Sequence, residues 1–372
     1  MQALILHPEI SLNCNLSNFI PVTDIQLRRL IKSFPSKACD LDPLPTWLLK
    51  DCLDELLPVL THIINASLSS GAFPRSFRES LILPVLKKPN LDPNVLGNYR
   101  PIANLPFVSK VMERIAADQI MSYVDSHHLL PRNQSAYRNF HSTETALLKV
   151  LNDLLLAVDK GDEAVLLLLD YSAAFDTLDH TMLHQRLAKD YSITGTVLQW
   201  IISYLQHRTQ RVKINGTLSA PSSLSCGVPQ GSVVGPLLFL LYTGPLARII
   251  TSHQDINYAM YADDTQIYLT MSRSPHGKRA AVNSLKACLE DIKVWSTNNR
   301  LRLNNSKSEL IHFSSQFRSA EPLPALIIED DSLQTSEYVR DLGVTLDKHL
   351  TLQQHIKTSA NQHLGVYLEL VS

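Results

Sequence analysis

The sequence lacks any cysteine pair suited to a metal site or a disulfide. Its five cysteines, Cys14, Cys39, Cys52, Cys226 and Cys288, are odd in number and scattered, with no C-x-x-C spacing. A zinc knuckle and a disulfide framework are therefore disfavoured, and a reducing compartment fits. An excess of one charge is missing too: Lys+Arg 34 against Asp+Glu 35 leaves a net charge of −1. That excludes a wholly basic nucleic-acid coat but leaves room for a local basic groove. No signal peptide is visible, because "MQALILHPEI" has no basic start and too short an apolar run. The most membrane-like stretch, "SVVGPLLFLLYTGPLARII" at 232–250, is broken by Gly235, Pro236, Gly244 and Pro245. It is short for a span and reads as buried helix, so no membrane partner is expected and the protein is expected inside the cell, in nucleus or cytoplasm. Internal repeats and low-complexity tracts are absent. His180 and His184 have a zinc-compatible spacing, but no Glu follows His180 as in H-E-x-x-H, and a solvated helix face is the simpler reading.

What is present is enough apolar material for a sizeable core: 45% of 372 residues, in one large domain or two. Helical periodicity runs from Thr23 to Gly71, with Gly71 and Pro74 closing it. "SLILPVLKK" at 80–88 reads as a strand entering a loop that carries Lys87, Lys88 and Arg100. Helical patterns follow at about 106–125 and 143–158, the second starting at Thr143 and Glu144 and stopping at Gly161. Val165 to Leu169 is a continuous apolar run of strand length, typical of a strand covered on both faces. It ends on Asp170, a carboxylate that is costly there unless hydrated, paired or bound to metal. Asp176 is expected to cap the next helix, whose apolar face is Leu178, Met182, Leu183 and Leu187.

Two further stretches carry chemistry. "CGVPQGSVVGPLLF" at 226–239 has the glycines of a tight turn opening a helix; this is equally a phosphate-approaching turn or a turn before a core helix. "YADDTQIY" at 261–268 sets Asp263 and Asp264 between stretches of period-two alternation, the pattern of a hairpin. Asp-Asp is not a favoured hairpin turn, and two adjacent negative charges suggest a cation that holds them.

The order of these blocks resembles the reverse transcriptases, most of all the polymerase of non-LTR (LINE-type) retrotransposons in the L2-like and Rex-like group. The likeness runs from about residue 22 to about residue 357. It includes "LKKPNLDPNVLGNYRPIANLPFVSKVMERI" and "NQSAYRNFHSTETAL", similar to the fingers. "LLLLDYSAAFDTLDH", "CGVPQGSVVGPLLF", "YADDTQIYL", "NRLRLNNSKSE" and "VRDLGVTLD" resemble successive palm motifs. The resemblance implies an α+β right-hand polymerase fold, with fingers, an antiparallel palm sheet and a largely missing thumb. It implies an N-terminal helical extension over 1–75, a reverse transcriptase domain over 76–347 and a truncated start of a thumb over 348–372. Family members carry an endonuclease before the polymerase, and 1–75 is too short for one.

The implied function is RNA-directed DNA synthesis, with an RNA template, a DNA primer and dNTPs as partners. Two Mg2+ ions, with Mn2+ as the alternative, would lie on Asp170 and Asp263, with Asp264 close by. Lys87 or Lys88 together with Arg100 would hold the triphosphate; from the residues alone they are an ordinary solvated loop. Gln230 and Gly231 would shape the pocket, and Phe175 would pack under the incoming sugar. Lys307 would sit near the leaving group as a proton donor, and is equally a turn lysine. Arg208, Arg211 and Lys213 suit either a backbone-tracking strand or a solvated edge strand. Ala136 and Tyr137 stand where relatives usually show Gly and Phe, and Ser308 where Thr is common. The alternative to an active polymerase is an inactive retroelement remnant that folds and at most binds nucleic acid.

Overall fold

Capping and turn chemistry set the helices of the computed structural model, which describes residues 14–361 except 38, 319–320, 325 and 329–330. The expected extension therefore lies outside the described residues over 1–13, and the expected thumb start over 362–372. Thr23 opens α1 (Asp24–Ser33) with a capping box closed by Gln26. α2 (Thr46–Asp51) and α3 (Leu53–Ser70) follow, and Gly71 ends α3 in the left-handed conformation, φ 66°. The single periodic stretch read over Thr23–Gly71 is thus three helices: Pro35, Pro43 and Pro45 deny backbone donors between α1 and α2, and α2 and α3 part at Cys52.

The middle of the chain alternates sheet and helix. Strands β1 (Glu79–Leu86) and β2 (Tyr99–Asn104) precede α4 (Phe107–Ser126) and α5 (Thr143–Asp159). Ser142, one residue before the expected start, caps α5 through a box with Thr145. Then come β3 (Glu163–Leu169), α6 (His180–Tyr191), α7 (Gly195–Leu205), β4 (Arg208–Ile214), β5 (Thr217–Leu218) and β6 (Ser222–Leu224). The apolar run at 232–250 forms α8 (Gly235–Thr243) and α9 (Leu246–Thr251), broken at Gly244 and Pro245. Among the described residues no helix is long and apolar enough to cross a membrane. The chain continues through β7 (Asn257–Tyr261), β8 (Asp264–Met271), α10 (Pro275–Asn298), β9 (Glu309–Phe313) and β10 (Leu326–Ile328). It closes with β11 (Asp331–Leu333), β12 (Thr335–Ser336), β13 (Tyr338–Asp341) and β14 (Val344–Asp347).

These elements form two compact units, each drawn from two chain stretches. The first holds residues 1–130 and 175–242. Its sheet runs β2-β1-β4-β5, with β6 also on β4, and β1 and β4 pair in parallel. An aromatic cluster fills its helical part: Phe73 meets Trp200 and Tyr204 edge-on at 5.3 and 5.0 Å.

The second unit holds residues 131–174 and 243–372. Its sheet runs β12-β9-β3-β8-β7, antiparallel except for the parallel β12–β9 pair. β3 sits at the centre because its apolar side chains suit both faces: Ala164, Leu166 and Leu167 are wholly buried. One face packs on α5 through Val150 and Leu154, and Val339 and Leu346 join the same core cluster.

Candidate functional site

Asp170 leaves the carboxyl end of β3, where Leu169 pairs with Thr265. Asp264 immediately precedes Thr265, so strand register alone brings the two carboxylates to one end of the sheet. Tyr261 pairs with Asp264, which makes Ala262 and Asp263 the two-residue turn of the β7–β8 hairpin. The sequence suggested an Asp-Asp break; instead Asp264 is the first residue of β8. Ala262 has a φ of 57°, and Asp263 is not among the positive-φ residues. A positive φ at the first central position only is the pattern of a turn that glycine usually serves.

The electrostatics of this end are those of crowded carboxylates. Asp264 is pushed up to about 6, first by lost solvation and then by the charges of Asp263 and Asp170. Lys307 Nζ lies 3.3 Å from Asp170 Oδ2, and the Asn304 N–H donates to the Asp170 carbonyl at 2.8 Å, so the turn after α10 is tied to the strand end. Behind them lies a fourth carboxylate, Asp341 on β13, which is 3% exposed. Burial and then the Asp264 charge push it up to about 7, and Gln266 Nε2 donates to its Oδ1 at 2.6 Å. Tyr137 is also raised, by burial and then by Asp263 and Tyr261.

Among the described residues no three His, Cys, Asp or Glu side chains form a ready-made metal cluster. The chemistry of the donor set nevertheless suits a hard divalent cation. Asp170, Asp263 and Asp264 offer only carboxylate oxygens, and the burial and neighbouring charges that raise Asp264 are what such a cation would offset.

The other sequence-derived candidates lie in the first unit. β1 and β2 form an antiparallel hairpin in which Val85 pairs with Arg100 and Leu83 with Ile102. Strand alternation sets Leu83, Val85, Arg100 and Ile102 on one face, partly apolar, exposed and edged by a cation. Lys87 and Lys88 are exposed at its tip, and Lys87 Nζ donates to the Gly97 carbonyl at 2.7 Å. The Gln230 carbonyl accepts from the Ala103 N–H at 2.6 Å, docking the Pro-Gln-Gly turn on β2. Gly231 has a φ of 113°, and a Cβ there would lie 2.7 Å from the Ala103 carbonyl oxygen, so only glycine fits this approach. Phe175 stacks on Phe239 with centroids 4.5 Å apart.

Three expectations are corrected in this unit. Asp176 does not cap α6: Asp179 does, accepting from the Met182 N–H at 2.9 Å, while Asp176 accepts from Gln230 Nε2 at 3.1 Å. His180 and His184 do not form a solvated face: both are half-buried, and His180 Nε2 lies 2.8 Å from the Gly227 carbonyl oxygen. β4 is not an edge strand, because it pairs with β1, β5 and β6. Its Arg208 is 1% exposed over the Tyr204 ring, Arg211 pairs with Glu79 at 2.9 Å, and Lys213 pairs with Asp40.

Sequence reasoning passed over three residues. Glu113 on α4 is fully buried, and its Oε2 accepts from the Val233 N–H at 2.8 Å, just beyond the Pro-Gln-Gly turn. Asp341 shares a strand face with buried Val339, which is the one signal that marked it as an inward carboxylate. Gln134, in "NQSAYR", is 2% exposed and gave no periodic signal at all.

Residues 86–346 match the family described as reverse transcriptase (RNA-dependent DNA polymerase). The chain is similar to the RNA-directed DNA polymerase from mobile element jockey of Drosophila melanogaster, 30% identical over 341 residues, 90% of this chain and 36% of that protein. The jockey polymerase of Drosophila funebris is also 30% identical, over 342 residues, with the same shares of 90% and 36%. The probable RNA-directed DNA polymerase from transposon BS of Drosophila melanogaster is 28% identical over 363 residues, 95% of this chain and 39% of that protein. The chain thus spans well under half the length of these relatives.

Proposed function

The chain belongs to the reverse transcriptase family, in its non-LTR retrotransposon branch, and from that premise we propose that it works as an RNA-directed DNA polymerase. It would add deoxynucleotides to the 3′-hydroxyl of a DNA primer on an RNA template. The observation that carries this reading is the meeting of Asp170 with the Asp263–Asp264 pair at one end of the sheet, with Asp264 pushed up to about 6 by lost solvation and then by the charges of Asp263 and Asp170. In this proposal the β12-β9-β3-β8-β7 sheet serves as the palm and the β1–β2 hairpin belongs to the fingers of a right-hand polymerase. The partition into 1–75, 76–347 and 348–372 belongs to the same proposal.

Asp170 and Asp263 would hold two divalent cations, Mg2+ or alternatively Mn2+, with Asp264 beside them. When bound, such ions lower the pKa of the primer hydroxyl and steady the triphosphate. The residues supply position and charge, which is what phosphoryl transfer mainly needs. Lys307, already the countercharge of Asp170, would give a proton to the leaving group. Lys87, Lys88 and Arg100 would bind the triphosphate, a role their exposure at the hairpin tip and face supports. Gln230 and Gly231 would bound the base pair, on a turn that their contacts with Asp176 and Ala103 make rigid. Phe175, braced by Phe239, would exclude a ribose 2′-hydroxyl.

Primer extension on an RNA template with Mg2+ tests the reading. Asp170→Asn, Asp263→Asn and Asp264→Asn should each abolish extension with the circular dichroism spectrum unchanged. A parent chain that folds and binds RNA but never extends a primer would be an inactive remnant. Extension at the parent rate by a variant lacking the charges of both Asp263 and Asp264 would remove the carboxylates from the mechanism.

A further inference from the structure

Gln134 lies in a loop that runs beside the catalytic hairpin. The Met260 N–H donates to the Asn133 carbonyl and the Ser135 N–H to the Met260 carbonyl, both at 2.9 Å. Residues 133–135 thus add a short parallel edge to β7, and Asn133 Nδ2 fastens it further to the Tyr258 carbonyl at 3.0 Å. The loop holds the Gln134 side chain inward at 2% exposure. Its Oε1 accepts two backbone N–H groups, that of Ala136 at 2.9 Å and that of Ala262 at 3.3 Å.

Ala262 is the residue that most needs such a partner. It carries the positive φ of the turn, 57°, a conformation that an L side chain adopts reluctantly and keeps only where its surroundings impose it. It is 8% exposed, so water is a poor substitute for the acceptor its N–H finds in Gln134. Asp263 follows directly, and its carboxylate can stand only where this turn puts it.

We propose that Gln134 is a positioning residue of the polymerase site, its carboxamide oxygen holding the Ala262–Asp263 turn in the conformation that presents Asp263. The proposal rests on the functional reading above for its consequence in catalysis, and on the hydrogen bond alone for its structural part. Packing by itself would tolerate a methionine of similar shape at 134. The proposed role requires an acceptor. Glutamate, protonated in so buried a place, keeps a carbonyl oxygen in the same position.

The test compares the full chain with Gln134→Met and Gln134→Glu by amide hydrogen exchange at Ala262 and by single-nucleotide extension. In the parent the Ala262 amide should be protected. In Gln134→Met that protection should vanish while β3 and β8 stay protected. The maximal extension rate should fall by about 10²-fold, the loss that a misplacement of about 1 Å produces, with the KM for the nucleotide unchanged. Gln134→Glu should keep both properties. Free exchange at Ala262 in the parent would overturn the proposal, whatever the variants do. So would a methionine variant that loses protection yet extends normally, or one that keeps both. A parent chain with no extension would sink the functional reading instead, and the exchange data would still decide whether Gln134 holds the turn.

Discussion

Asp341 lies on β13 with its Oδ1 hydrogen-bonded to Gln266 and its Oδ2 without a hydrogen-bond partner among the described residues. Burial first, and then the charge on Asp264, push its carboxyl up to about 7. Asp264, at about 6, ionises before it, and that charge then keeps the Asp341 proton in place. An acid whose pKa is raised by folding costs nothing below its ordinary carboxylate range and weakens the fold as pH climbs from about 4 towards 7. Asp341→Asn keeps the acceptor for Gln266, removes the ionisation and adds a donor for the unpaired Gln266 Oε1. The variant should therefore be more stable than the parent at pH 8, by at most about 4 kcal/mol, and equally stable near pH 4. Urea midpoints at the two pH values measure this, and parity at pH 8 would mean that Asp341 bears its charge there without cost.

At the scale of elements, α4 holds the turn that leads into α8. Glu113 receives the Ser109 hydroxyl at 2.9 Å, the Val233 N–H at 2.8 Å and, more weakly, the Tyr204 hydroxyl and Val234 N–H at 3.4 Å. Burial raises its pKa and the charge of buried Arg208 opposes that rise. Glu113→Ala strands these donors and leaves Arg208 without its countercharge. It should cost about 3–5 kcal/mol, read as a fall in the urea midpoint; a loss under about 1 kcal/mol would mean that the network is dispensable. Elements of this kind were legible in the sequence to the extent that periodicity defines them. β3 and the β7–β8 hairpin declare themselves by apolar run and alternation, and Gly71 declares the end of α3. Neighbouring polar residues compete for one role without changing any period, which is why Asp179 displaces Asp176 as a cap and Asp264 slips from turn to strand, while α5 does start at Thr143 as expected, with Ser142 its cap. β4 carries cations like an exposed strand, yet β1, distant in sequence, and β5 and β6 beside it pair with it on both sides. The contacts around the carboxylate end of the sheet are beyond local reading altogether: Gln134 meets Ala262 across 128 residues and Gln266 meets Asp341 across 75.

At the scale of the second unit, the two ends of β3 respond to protons in opposite senses. From Glu163 at its start to Asp170 just past its end is about 23 Å at about 3.3 Å per residue. At its start Glu163 is 1% exposed and meets His312 at 2.7 Å, Lys278 at 2.9 Å and Arg273 at 3.4 Å. Burial alone would raise its pKa, but the hydrogen bonds from Lys278 and His312 outweigh burial and lower it. That stability is present above the ordinary glutamate range and is lost as pH falls from that range through the lowered value of the folded state. At the other end Asp264 and Asp341 take stability away as pH rises from about 4 towards about 6 and about 7 respectively. A divalent cation bound among Asp170, Asp263 and Asp264 acts on the second end only. It requires ionised carboxylates and repays their repulsion, so its effect must grow with pH. At a concentration a hundredfold above its dissociation constant, Mg2+ should stabilise the chain by about 2.7 kcal/mol at pH 8. At pH 5 the proton on Asp264 competes with the ion and the gain should shrink. Asp264→Asn should narrow the difference between the two pH values, while Glu163→Gln should weaken the fold without touching the Mg2+ response. Thermal melting with and without Mg2+, at matched ionic strength, separates these effects. An equal rise in melting temperature at pH 5 and pH 8 would show that the ion binds elsewhere on the molecule.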